Sequence, residues 1–192
     1  MERKEVAITL LTGFLESGKT TTMMNILRNQ AEKIRESKQQ ETTLIIDMEE
    51  EGEIAYDDEF FSRHNMIYVR LDNPFELTEK FLSEMELLYE PDQVFIEYNG
   101  MFHVHYLEEM KLPKGWQIKR QMTLADGSCF GLYMRNLKEN FHKMVQHADM
   151  IVFNRCTADM PLQDYGDIVR EVNPAGLIIF EDEGGNVLCT LS

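Results

Sequence analysis

Eight residues near the N-terminus carry the clearest chemistry. Gly13-Phe14-Leu15-Glu16-Ser17-Gly18-Lys19-Thr20 fits G-x-x-x-x-G-K-[ST] at every fixed position. Glycines there let the backbone curl, so that successive N–H groups point at phosphate oxygens. The helix that follows adds partial positive charge at its N-terminus. Lys19 is placed to reach the β- and γ-phosphates, and the Thr20 hydroxyl to coordinate Mg²⁺. Gly13, Glu16, Ser17, Gly18, Lys19, Thr20 and Thr21 are the candidate phosphate contacts. Glu16 is unusual, because it puts a negative charge beside a site built for a polyanion.

Carboxylates form the second group. Glu97 and Asp47 each end an apolar run, where an open α/β sheet presents ligand-facing groups, and both are candidate Mg²⁺ partners. From Asp47 to Glu59 eight of thirteen positions are acidic, which reads either as a solvated loop or as a switch loop. In the switch reading Glu50 or Glu53 contacts Mg²⁺ or a second, hard or borderline cation. His103 and His105 share a face if their segment is extended. With the acidic residues they could then form a site for Zn²⁺, Ni²⁺ or Co²⁺; the competing reading is two partly buried, hydrogen-bonded histidines. His142 and His147 are spaced poorly for shared ligation, and the 13 methionines read as core filler.

These groups need strands to end on and helices to start from. Val6 to Leu11 reads as a buried strand, and Thr20 to Arg35 as the helix after the loop. Further strands are expected at 42–46, 66–71, 93–97, 117–124, 150–153 and 177–180. Helices are expected at 75–89, 130–147 and 163–172. The last ten residues form a terminal strand or fray. Alternation of this kind implies βαβ units, hence an α/β three-layer fold with a central, mostly parallel sheet. The 192 residues suit one domain over 1–192.

Composition narrows the partners. Nineteen basic residues against 34 acidic ones give a net charge of −15, which argues against nucleic acid and against an anionic membrane. No apolar run reaches membrane-spanning length, the N-terminus lacks a signal-peptide profile, and the three cysteines are widely spaced. A cytoplasmic location is expected.

The motifs also line up with a known family. The stretch from Thr9 to Thr21 resembles the opening of CobW-type proteins, members of the CobW/HypB/UreG family of P-loop GTPases. Glu49-Glu50-Glu51-Gly52-Glu53-Ile54-Ala55-Tyr56-Asp57 is similar to the family's switch segment, and Ile96-Glu97-Tyr98-Asn99-Gly100 to its Ile-Glu-x-x-Gly motif. Asn154-Arg155-Cys156-Thr157 falls where the family reads guanine with Asn-Lys-x-Asp. Val172-Asn173-Pro174-Ala175 resembles its Asn-Pro-x-Ala stretch. The resemblance implies binding of GTP and GDP with Mg²⁺, slow hydrolysis, and a role in metal or cobalamin-cofactor trafficking. It also implies a protein partner or metalloprotein client, and leaves a homodimer open. Lys19, Thr20 and Glu97 would serve the chemistry, and Asn154, Arg155 and Thr157 the base. The chain departs from the family in four ways. Glu16 stands where Gly is usual. The Cys-x-Cys-Cys metal motif is absent. Thr157 replaces the guanine-reading aspartate, with Asp159 two residues on as a substitute. The C-terminal CobW domain is expected to be missing. Two other readings stay open: a degenerate interaction subunit, and an ATP-using, kinase-like enzyme.

Overall fold

The computed structural model describes residues 5–37, 41–48, 57–101 and 105–192. Its eight strands follow the order β3-β2-β4-β1-β5-β6-β7-β8. They are β1 (Val6–Gly13), β2 (Thr43–Asp47), β3 (Met66–Arg70), β4 (Gln93–Glu97), β5 (Trp116–Asp126), β6 (Met150–Asn154), β7 (Leu177–Glu181) and β8 (Val187–Leu191). The helices are α1 (Lys19–Ser37), α2 (Asp58–Arg63), α3 (Glu79–Tyr89), α4 (His105–Glu109), α5 (Phe130–Asn136), α6 (Lys138–Val145) and α7 (Leu162–Arg170). The mostly parallel sheet with intervening helices is the expected three-layer α/β fold of P-loop proteins. The terminal segment is a strand, β8, antiparallel to β7. Among the described residues no helix is long and apolar enough to cross a membrane.

The chain divides into two compact units. The first takes in residues 1–10, 20–98 and 105–119. There β2 pairs in parallel with β3 and with β4, and Asp47 is in register with Glu97. Leu44, Ile45, Ile46, Val94 and Ile96 are fully buried, as a strand covered on both faces requires. Met23, Leu27 and Ala31, four residues apart on α1, form its buried stripe. The second unit takes in residues 11–19, 99–104 and 120–192. In it β5–β6 and β6–β7 are parallel. Its core is a cluster of rings: Phe130 lies 4.9 Å from Phe153 edge-on, and Phe153 stacks on Phe180 at 5.0 Å.

Two expected helices are each broken. The run 75–89 becomes a 3₁₀ turn (Pro74–Glu76) and then α3, because Thr78 is extended and its hydroxyl accepts from the Phe81 N–H. The run 130–147 divides at Leu137, which leaves helical geometry between α5 and α6. Periodicity reads through such breaks; at Thr78 the local capping bond decides the break, and at Leu137 a backbone turn without a side-chain cap does. The helices α2 and α4 are too short to show a period in the sequence.

Candidate functional site

The phosphate-type loop leaves β1 at Gly13 and enters α1 at Lys19. Two glycines are imposed by their surroundings. A Cβ on Gly13 would meet the Leu124 carbonyl oxygen at 2.4 Å and Ser17 Oγ at 2.5 Å. Gly18 has φ 89°, and a Cβ there would meet Asn154 Nδ2 at 2.6 Å. Glu16 has φ 59°, a left-handed conformation that glycine adopts more easily; its side chain is exposed. Lys19 is buried, and its Nζ donates to the Gly13 carbonyl at 3.0 Å and the Phe14 carbonyl at 2.7 Å. Gly100 N–H donates to the same Gly13 carbonyl at 3.0 Å, and any side chain on Gly100 would collide with that oxygen. Ser17 Oγ is buried without a hydrogen-bond partner. An unsatisfied hydroxyl inside a curled, glycine-lined loop is costly unless an outside group meets it, and a phosphate oxygen would do so. The loop therefore fits a phosphate.

The strand-end carboxylates belong to the first unit. Thr20, at the start of α1, donates its hydroxyl to Glu97 Oε1 at 2.6 Å, and Glu97 is fully buried. Asp47, also buried, accepts from the Tyr68 hydroxyl at 2.7 Å. Burial first, then that hydrogen bond and the Asp47 charge, push the Tyr68 hydroxyl well above its ordinary range, so it stays a donor. A threonine hydroxyl with two carboxylates in register is an all-oxygen set, which suits a hard cation such as Mg²⁺.

The segment expected to face the base follows β6. Asn154 donates through Nδ2 to the Ser17 carbonyl at 2.6 Å, while its Oδ1 is buried and unpartnered. Arg155, at φ 51°, donates through Nη1 to the Glu16 carbonyl at 2.9 Å and to Asp126 Oδ2 at 2.6 Å. Thr157 is exposed, and its side chain hydrogen-bonds Asp159, whose carboxyl is held below its ordinary range by that bond first. Within the second unit the structure thus hydrogen-bonds Lys19 to Gly13, Asn154 to Ser17 and Arg155 to Glu16, with Gly18 packed against Asn154. Thr21 is exposed on α1.

Other expected ligands fall mostly outside the described residues. Glu50, Glu53 and His103 lie outside the described residues, and His105 is the first residue of α4. Among the described residues no group of three or more His, Cys, Asp or Glu is arranged to hold a metal ion. The sequence reading missed Asp126 and Tyr68. Asp126 ends β5 as Asp47 ends β2, so the strand-end rule could have found it. Nothing in the sequence joins Tyr68 to Asp47, which lies 21 residues away.

Comparison with known proteins gives a consistent picture. Residues 7–175 match the model of the CobW/HypB/UreG nucleotide-binding domain. No curated protein matches the sequence. Among solved structures, the Zn(II)-bound YjiA GTPase from E. coli is similar at 19% identity and TM-score 0.61, over 92% of this chain and 57% of that one. The hydrogenase maturation factor HypB from Archaeoglobus fulgidus is similar at 15% identity and TM-score 0.56, over 93% of this chain and 81% of that one. FlhF complexed with GTP/Mg²⁺ is similar at 16% identity and TM-score 0.55, over 100% and 72%. The chain thus spans little more than half the length of YjiA.

Proposed function

Because the chain belongs to the CobW/HypB/UreG nucleotide-binding family, we propose that it binds GTP and GDP with Mg²⁺, hydrolyses GTP slowly, and uses the nucleotide state to govern contact with a metalloprotein client. The observation that carries the reading is the phosphate loop: buried Lys19 at the start of α1, with Ser17 Oγ buried and unpartnered beside it. Lys19 would exchange the Gly13 and Phe14 carbonyls for phosphate oxygens. Thr20 and Glu97, with Asp47 in register, would hold Mg²⁺, which when bound neutralises charge on the phosphates. Asn154 would meet the purine through Oδ1, and the stem of Arg155 would lie against the ring. Thr157 with its partner Asp159 would take the place of the guanine-reading aspartate. Handling of Zn²⁺, Ni²⁺ or Co²⁺ for a client is part of this proposal; membership of the family and the similarity to the Zn(II)-bound YjiA GTPase support it. A cytoplasmic location and a single domain over 1–192 go with this reading.

The two carbonyl bonds of Lys19 favour a second reading, an interaction subunit that binds nucleotide weakly, since both must break before the lysine meets phosphate. Calorimetry of the purified chain with Mg-GTP, Mg-GDP and Mg-ATP separates the readings. Binding of guanine nucleotides, lost in Lys19→Ala, supports the switch; preference for ATP supports a kinase-like enzyme; no heat with any of the three supports the subunit.

A further inference from the structure

Beyond the phosphate loop itself, one buried carboxylate has no place in the reading above. Asp126 ends β5 and is 8% exposed. Its Oδ1 accepts from Ser128 N–H at 2.9 Å and Ser128 Oγ at 2.5 Å, and its Oδ2 accepts from Arg155 Nη1 at 2.6 Å. The same Nη1 donates to the Glu16 carbonyl at 2.9 Å. With one hydrogen toward each acceptor, this nitrogen ties Glu16 to Asp126. Both residues that flank the bridge, Glu16 and Arg155, are left-handed non-glycines, so their conformations need an outside hold. All four residues lie in the second unit.

We infer that Asp126 is a positioning residue for nucleotide binding: it fixes the Arg155 guanidinium so that Arg155 clamps the phosphate loop at the Glu16 carbonyl. Ser128 fixes Asp126 in turn, through the other carboxylate oxygen. The stem of Arg155 is thereby set for the base while its head orders the phosphate loop, so base and phosphate contacts are prepared together. An asparagine at 126 cannot serve both arms. It has one acceptor oxygen for Ser128, and its amide would face the donor Nη1.

The inference rests on the nucleotide reading, yet the clamp can be tested without nucleotide. Amide hydrogen exchange of the full chain is measured over residues 13–19, in the free protein. Asp126→Asn and Arg155→Ala are each expected to speed exchange there about tenfold, with β6 and β7 changing by less than about threefold. Their combination should be no faster than Arg155→Ala alone, because both changes cut one chain of contacts. A merely structural role for Asp126 would instead loosen β5 and β6 and add to the arginine effect. Loop exchange within about twofold of wild type in Asp126→Asn, or multiplying effects in the double variant, overturns the clamp. If Asp126→Asn unfolds, seen as lost protection in β6 and β7, Arg155→Ala decides alone: an unchanged loop overturns the clamp. Mg-GDP affinity should follow the same pattern, falling about tenfold in each single variant and no further in the double. If the wild type takes no Mg-GDP, the nucleotide reading fails, while the exchange data still decide the clamp.

Discussion

The Asn173 turn and the phosphate loop are both tight, motif-bearing turns in the second unit, and they treat their buried polar groups in opposite ways. Asn173 is fully employed. Its Nδ2 donates to the Val145 carbonyl at 2.6 Å and the Ala148 carbonyl at 2.8 Å. Its Oδ1 accepts from the Ala175 N–H at 3.2 Å and the Gly176 N–H at 2.7 Å. The phosphate loop buries Ser17 Oγ with no partner, and the neighbouring Asn154 leaves Oδ1 unmet. Two motif-bearing turns thus differ in what they need. One is complete by itself and closes a fold; the other is complete only with something added. Polar satisfaction, rather than motif strength, separates the structural turn from the binding loop.

That contrast breaks if the Asn173 turn proves dispensable. Asn173→Ala strips acceptors from two amides and donors from two carbonyls in a buried place. It should cost about 3 kcal/mol in urea-induced unfolding, the largest effect expected here. A loss below about 1 kcal/mol would mean that the turn is held by Pro174 and packing instead. Lys19→Ala should act the other way round. Nucleotide affinity falls about a hundredfold by calorimetry, while the loss of folding stability stays below that of Asn173→Ala.

Ser17→Ala sharpens the contrast further. Removing an unpartnered buried hydroxyl should leave unfolding free energy unchanged or raise it by about 1 kcal/mol. Mg-GDP affinity should fall about fivefold in the same variant, the effect of one lost hydrogen bond. Destabilisation of the free protein together with full affinity would show that the hydroxyl has a structural partner after all.

The same distinction explains what the sequence could reveal. The phosphate loop was legible because its glycines, lysine and threonine are fixed by position along one short stretch, with a strand before and a helix after. The strands were legible because burial on both faces makes continuous apolar runs, as in Leu44-Ile45-Ile46. The breaks at Thr78 and Leu137 were not, since neither a capping bond nor one residue out of helical geometry disturbs the period of an amphipathic run. Asn173 stood out only as a family motif; two of its four bonds reach carbonyls 25 and 28 residues back, which no spacing rule encodes. The strand-end rule could flag Asp126, but its partners escaped for the same reason, with its arginine 29 residues away and its effect passed to a backbone carbonyl 139 residues from Arg155.

The smallest expected effect concerns acid. Burial alone would raise the Asp126 carboxyl, but the hydrogen bonds from Ser128 and Arg155 outweigh it and hold the group below its ordinary value. A carboxyl depressed in the folded state adds stability above its unfolded pKa, and loses that contribution as pH falls through the folded pKa. The stability gap between wild type and Asp126→Asn should therefore stay constant from about pH 8 to about pH 5, and narrow only below about pH 4. Urea unfolding at four or five pH values measures it. A gap that already closes between pH 7 and pH 5 would place the carboxyl above its ordinary range. The Arg155 contact would then be too weak to order the loop, and the binding loop would stand without the clamp that distinguishes it from the self-sufficient Asn173 turn.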